Sequence, residues 1–158
     1  MKAGSPVLLG DQIWFPDPNG AVADGDFDGL VAIGGDLEPE RLMLAYRSGI
    51  FPWSVQPITW WSPDPRGNFD LEHPHWSGSL LREVKRATFR VTIDHDFPGV
   101  IRGCAAQRRP GGWISDEFIT AYTRLHQLGH AHSVECWIED RLVGGIYGVA
   151  IGGLFAGE

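Results

Sequence analysis

Long apolar runs are scarce in this chain. No stretch of the 158-residue sequence approaches the roughly 20 apolar residues that cross a bilayer, so no membrane partner is expected. Met1 to Gly10 holds one lysine and a short apolar segment, too weak a pattern for a signal peptide. Cysteine is as scarce: Cys104 and Cys136 stand far apart. They match neither a disulfide framework nor a paired zinc spacing, and a reducing cytoplasmic setting is the expectation. Positive charge is short too, with 13 Lys and Arg against 20 Asp and Glu and a formal net charge of −7. That balance argues against a uniformly basic nucleic-acid binder.

What is present is unevenly spread. Residues 1–75 hold four Lys or Arg against eleven Asp or Glu, residues 76–112 hold seven against three, and residues 113–158 hold two against six. One basic segment in an acidic chain can present a local cationic patch, because fields act over about 10 Å in salt; the alternative is a solvated face. Aromatics are plentiful. Seven tryptophans join eight phenylalanines and three tyrosines. An indole N–H wants a partner when buried. Several tryptophans flank Pro and Gly, which predicts loop positions, either as binding platforms or as wedges onto the core.

Residues 1–36 read as mostly irregular. Asp36 to Gly49 reads as a helix, with Pro39 at its first position, Gly49 as its stop and Leu42, Ala45 and Tyr46 on one face. Glu38 is a mediocre N-cap. Residues 50–76 read as a loop-rich block, because prolines at 52, 57, 63 and 65 oppose a regular helix and a central strand. A domain boundary is placed near Arg66, giving units 1–66 and 67–158. Ser77 is expected to cap a helix through Arg86, with Leu80, Leu81 and Val84 inward and Arg82, Lys85 and Arg86 outward. Phe89, Val91 and Ile93 alternate as a strand. A helix over 96–107, a basic loop 108–112 and a helix 116–128 capped by Ser115 and stopped by Gly129 follow, the last with Phe118, Ile119, Tyr122 and Leu125 buried. Residues 132–139 form a strand with Val134, Cys136 and Ile138 on its inner side. Asp140 and Arg141 turn into a glycine-loaded strand from Leu142 to Ile151, and Leu154 to Glu158 begins a third.

Three motifs are weighed and set aside. Asp24-Gly-Asp-Phe-Asp-Gly29 opens like a calcium loop, but its twelfth position is Gly35 rather than Glu. His126, His130 and His132 are spaced for zinc only if a helix end and a strand turn together, and Gly129 interrupts them; a helix C-terminus decorated with histidine is the better account. Gly144 to Gly153 lacks the lysine of a phosphate loop, although such glycines admit close approach by a ligand. Cys104 is read as a core residue.

A set of longer strings carries more information. These are Gly29-Leu-Val-Ala-Ile-Gly-Gly-Asp-Leu37, Gly49-Ile-Phe-Pro-Trp53, Trp60-Trp-Ser-Pro-Asp-Pro-Arg66, Leu125-His-Gln-Leu-Gly-His-Ala-His-Ser-Val-Glu135, Leu142-Val-Gly-Gly-Ile-Tyr-Gly-Val-Ala150 and Gly153-Leu-Phe-Ala-Gly-Glu158. In their order and composition they resemble the leucyl/phenylalanyl-tRNA–protein transferases from about Pro16 onward. The resemblance implies an α+β fold, a small N-terminal domain followed by an acetyltransferase-like mixed-sheet domain. It implies transfer of Leu or Phe from aminoacyl-tRNA to the N-terminal Arg or Lys of an acceptor protein, marking it for degradation, with no metal and no bound cofactor. A monomer is expected.

Carried over by position, Trp53 and Trp113 resemble the aromatics that hold the terminal adenosine. Tyr122, Ile146 and Phe155 resemble the wall of the aminoacyl pocket, where the family often has Met or Leu in place of Ile146. Glu158 resembles the carboxylate near the attacking amine. Arg82, Lys85, Arg86 and Arg90 fall on the family's cationic tRNA surface; Arg90 is alternatively a partner for Glu83. The family continues beyond Glu158, and its Asp and Gln thought to activate the amine lie on a later strand. The chain therefore looks like the first two-thirds of such an enzyme. A product ending there is expected to fold poorly and transfer little, or only to grip the aminoacyl end of tRNA.

Overall fold

A computed structural model of the chain describes residues 5–23, 25–106 and 113–158. The basic loop at 108–112 and Asp24 of the calcium-like run lie outside the described residues. Among the described residues two four-stranded sheets and four α-helices make an α+β fold. The first sheet has β1 (Val7–Leu9), β2 (Leu30–Gly34), β4 (Ile58–Trp61) and β3 (Phe51–Val55) in that order. β1 and β2 run parallel, and the other pairs are antiparallel. The second is wholly antiparallel: β5 (Arg90–Ile93), β6 (Ala131–Ile138), β7 (Arg141–Ile151) and β8 (Leu154–Gly157). The helices are α1 (Pro39–Arg47), α2 (Gly78–Arg86), α3 (Phe97–Ala106) and α4 (Asp116–Gln127).

The first sheet corrects one expectation and refines another. The described part of residues 1–36 is mostly irregular, as read, with the short strands β1 and β2 set in it, whereas the block 50–76 contains the hairpin β3–β4. Its prolines are compatible with a sheet because Pro52 lies on the edge strand β3 and Pro57 in the turn, whereas β4, flanked on both sides, has none. Trp53, Trp60 and Trp61 thus sit on strands rather than loops, as does Trp137 on β6. Trp60 is fully buried, and its indole N–H donates to the Gly34 carbonyl at 2.8 Å, meeting the partner requirement of a buried indole.

α1 follows its sequence signals. Pro39 opens it, Glu38 makes no side-chain cap, and Leu42, Ala45 and Tyr46 are buried. Gly49 ends it at φ +73°, a conformation glycine adopts without a Cβ penalty. Arg41 was not singled out from sequence, yet its guanidinium is fully buried. It donates to the carbonyls of Gly10, Asp11 and Gln12 at 2.9, 3.2 and 3.1 Å and to Asp36 at 3.0 Å. One side chain thereby ties the N-terminal segment to α1.

In the second sheet Ser77 and Ser115 cap α2 and α4 as expected, their hydroxyls accepting from the amides of Leu80 and Phe118. α4 buries Phe118, Tyr122 and Leu125, while Ile119 is half-buried. The turn into β7 falls at Glu139 and Asp140, one residue earlier than read. Two inward assignments are reversed. On β6 the buried residues are Ala131, Ser133, Glu135 and Trp137, and Val134, Cys136 and Ile138 lie on the half-exposed face. The polar parity is inside because Glu135 carries its own hydrogen-bond partners. Thr92 and Ser133 hydroxyls donate to it at 2.5 Å each, and the amides of His95 and Asp96 at 3.3 and 3.4 Å. On α2, Leu80, Leu81 and Val84 are all exposed and no residue of the helix is buried. Cys104 is half-buried on α3 and packs against the core from its margin.

The core is continuous from Leu9, Val31 and Trp60 through Leu42 and Tyr46 of α1 to Phe118, Tyr122 and Leu125 of α4 and Tyr147 and Val149 of β7. α1 packs against both α4 and β7 and so links the first sheet's layer to the second's. Among the described residues no helix is long and apolar enough to cross a membrane.

Candidate functional site

A chain of aromatic rings runs through this junction. Trp53 on β3 stacks on Trp113, which precedes α4, with centroids 6.0 Å apart and planes 20° apart. Trp113 meets Phe118 edge-on at 5.1 Å, Phe118 meets Tyr122 at 6.1 Å, and Tyr122 meets Tyr147 at 5.6 Å. The outer end is open, Trp53 being 50% exposed, and the inner end is fully buried at Tyr122 and Tyr147.

At the inner end three polar groups meet. The Tyr46 hydroxyl donates to the Glu158 carboxylate and lies 2.5 Å from the Tyr122 hydroxyl. A phenol has one proton to give, so Tyr122 is the donor to Tyr46 while Glu158 is ionised. The backbone supports the arrangement: Glu158 N–H donates to the Tyr147 carbonyl at 2.9 Å. Burial raises the Glu158 carboxyl to about 7, against the opposing pull of the Tyr46 hydroxyl and the Arg66 guanidinium. Burial, with Glu158 nearby, also holds the Tyr46, Tyr122 and Tyr147 phenols above the ordinary tyrosine range. Arg66 is placed by donating to the Gly49 carbonyl at 3.0 Å and by lying 4.9 Å over the Phe51 ring. A carboxyl poised near neutrality can take up and release a proton at physiological pH.

Ile146 and Phe155 lie on neighbouring strands and are about equally exposed. They share one face of the sheet, as Phe155 pairs with Ala150, four residues beyond Ile146. Gly148 lies between, and a Cβ there would stand 2.7 Å from the Phe155 ring and 2.3 Å from the Ala156 carbonyl oxygen. Tyr122 lies on the opposite, helix-covered face with Tyr147, so the three residues read as one pocket wall do not share a surface. Neither the cleft between the β3–β4 hairpin and α4 nor the smaller cavity between α3 and β7 is lined by any of them.

The cationic residues lie elsewhere. Arg82, Lys85 and Arg86 are exposed on α2. Arg86 is held by Glu83 at 2.7 Å, and Arg90 instead lies 5.2 Å over the Trp137 ring. Two of the three histidines in the weighed zinc spacing meet a carboxylate: Asp94 stands 2.7 Å from His132 and 3.7 Å from His126. Among the described residues no group of three or more His, Cys, Asp or Glu is placed to hold a metal ion.

Residues 69–158 match the family model described as leucyl/phenylalanyl-tRNA protein transferase, and residues 35–64 match the model of that transferase's N-terminal domain. The chain belongs to this family. It is 54% identical over 149 residues to leucyl/phenylalanyl-tRNA–protein transferases of Escherichia coli O7:K1, O6:H1 and K12, which covers 93% of this chain and 63% of each relative. The chain thus spans somewhat less than two-thirds of the length of the curated transferases it matches. Tyr46 and Trp53 fall in the region matched by the transferase N-terminal model, and Trp113, Tyr122 and Glu158 in the other. The Trp53–Trp113 stack and the Tyr46 hydroxyl bonds therefore join the two matched regions.

Tyr46 and Arg66 were not named as site residues from sequence. Tyr46 carried a usable signal, since a tyrosine on a buried helical face must find a partner for its hydroxyl. Arg66 carried only its place in a proline-rich string.

Proposed function

We propose that this chain binds the aminoacyl end of Leu- or Phe-tRNA and serves transfer of that amino acid to the N-terminal Arg or Lys of an acceptor protein, the product being marked for degradation. The observation that carries the reading is the stacked, half-open indole pair leading inward to a carboxyl held near neutrality. Trp53 and Trp113 offer a base a stacking surface, a contact that contributes roughly 1–3 kcal/mol. Arg82, Lys85, Arg86 and Arg90 supply phosphate contacts without sequence readout. Ile146 and Phe155 offer apolar surface to the aminoacyl side chain.

The ester of aminoacyl-tRNA is already activated, so the protein's task is alignment and proton transfer. The acceptor's α-amine attacks the ester carbonyl. A C–N bond forms, the C–O bond to the ribose breaks, the ribose oxygen leaves with a proton, and the amine loses one. Glu158 is the proton acceptor in this reading, because a free α-amine titrates near 7.7–8.0, close to the Glu158 carboxyl at about 7. Tyr46 holds that carboxylate through its hydroxyl.

The test is radiolabelled Phe-tRNA mixed with an Arg-starting peptide and the 158-residue chain. Labelled peptide supports transfer. Retention of Phe-tRNA without labelled peptide leaves a module that grips the aminoacyl end alone. Absence of both removes the reading.

A further inference from the structure

The larger cavity belongs neither to the aromatic chain nor to the Glu158 cluster. It is a cleft of about 600 Å³ between the β3–β4 hairpin, the start of α1 and the outer face of α4, within the roughly 300–1,000 Å³ typical of ligand sites. Its floor is apolar and half-buried: Val55, Ile58 and Ala121. Its rim is exposed and acidic, with Glu38, Asp116 and Glu117 set against Arg124 alone. Among the described residues none of those three carboxylates is engaged in an ion pair.

We propose that this cleft receives an extended segment of the acceptor polypeptide, with aliphatic side chains on the floor and a lysine or arginine against the rim. The proposal rests on the transfer reading above. Charge decides the class of occupant. Three carboxylates repel the phosphates of an RNA strand and attract a cationic side chain, and at an exposed rim such charges govern partner choice. Position agrees with it. Val55 lies two residues past Trp53 on the same strand, about 7 Å at strand rise, and Asp116 lies three residues past Trp113. The strand that carries Trp53, and the helix that begins three residues after Trp113, therefore also carry the cleft. A polypeptide whose amine meets an ester held at that pair reaches the cleft within a few residues of extended chain, at most about 3.6 Å each.

The experiment uses the whole 158-residue chain and two fluorescent hexapeptides, both beginning with Arg, one with Lys and one with Glu at positions three to five. Anisotropy titration at low salt is expected to show the Lys peptide binding about tenfold more tightly, a difference that shrinks with added salt. The Glu38→Lys, Glu117→Lys double variant should erase or reverse the preference. Ala121→Trp fills the floor without touching charge or the helix start, and should weaken both peptides about tenfold. Aminoacyl-adenosine affinity, measured in parallel, should be unchanged in each variant. Equal binding of the two peptides, or full affinity in Ala121→Trp, overturns the proposal. Displacement of the Lys peptide by a CCA trinucleotide that itself binds more weakly to Ala121→Trp also overturns it, making RNA the occupant. Loss of aminoacyl-adenosine binding in the unaltered chain with the peptide pattern intact removes the transfer reading alone and leaves the cleft a site for basic peptides.

Discussion

Along α4, Phe118, Tyr122 and Leu125 are fully buried, whereas along α2 Leu80, Leu81 and Val84 are all exposed. Both helices have a Ser N-cap and an apolar stripe at helical spacing. The contrast extends to their neighbours. β7 buries Tyr147 and Val149 beneath the helices, and β5 leaves Val91 and Ile93 60% and 70% exposed. Between Trp60 and Phe97 no residue is buried at all. An amphipathic pattern states which face a segment can bury; burial itself requires a second apolar surface within reach. α4 has α1, α3 and β6 against it, and among the described residues no element packs on α2 to a comparable extent.

The largest expected effect lies on the packed side. Leu125→Ala should cost about 2–5 kcal/mol in denaturant unfolding, since a buried leucine leaves a cavity as well as lost transfer energy. Val84→Ala on α2 should stay within about 0.5 kcal/mol. Similar losses at the two positions would break the comparison and show that α2 is packed in solution.

Next comes Glu135. Burial opposes its ionisation, yet the hydrogen bonds from Ser133, Thr92 and the His95 and Asp96 amides outweigh it and hold its carboxyl below the usual range. Its contribution to stability is present above the unfolded value and is lost as pH falls through the folded one. Glu135→Ala strands four donors at the β5–β6–α3 junction, and a loss of about 3 kcal/mol is expected. An unfolding midpoint unchanged from wild type would show that β5 is not anchored through this carboxylate.

A smaller effect is expected at the indole pair. Trp53→Ala should lose about 1–3 kcal/mol of aminoacyl-adenosine binding while scarcely altering the thermal midpoint, because Trp53 is half exposed. Trp113→Ala should weaken binding more than folding; equal losses of both would make Trp113 a packing residue.

The last prediction concerns sign more than size. The Glu158 carboxyl is raised to about 7 from the ordinary 4.5. A raised carboxyl favours the neutral form on folding, so its contribution is full below the unfolded value and is lost as pH climbs through the folded one. Wild-type thermal stability should therefore decline between about pH 5 and 8, and Glu158→Gln should flatten that decline. Tyr46→Phe removes a donor to the carboxylate and should move the midpoint of the decline upward. A midpoint that stays in place would separate Tyr46 from Glu158 in solution.

Much of the fold was legible from local rules. Pro39 and Gly49 bound α1, Ser77 and Ser115 cap their helices, alternation located β5 and β6, and the turn at Asp140 with the glycine-loaded run after it located β7 and β8, because these signals act within a few residues. The β3–β4 hairpin was hidden by Pro52 and Pro57, whose meaning depends on which strand is an edge, and an edge is a property of the sheet. The inward face of β6 was misread because Val134 and Cys136 are more apolar than Ser133 and Glu135. Only the donors from Thr92, His95 and Asp96, remote in sequence, make the polar parity the buried one. In the candidate site, Trp53, Trp113, Tyr122 and Glu158 were named from family resemblance, and the structure gathers them at one junction. Ile146 and Phe155 are placed on the other face of the sheet from Tyr122.

By itself, then, the sequence determined the helix limits, the strand alternation and the membership of a transferase family, since propensity, capping and ordered strings of residues are carried by the chain locally. Tertiary structure alone decided which stripes are covered, that Tyr46 reaches across to Tyr122 and Glu158, and that an acidic-rimmed cleft opens beside the indoles. Those depend on distances between residues up to 112 positions apart, and no local pattern encodes a distance.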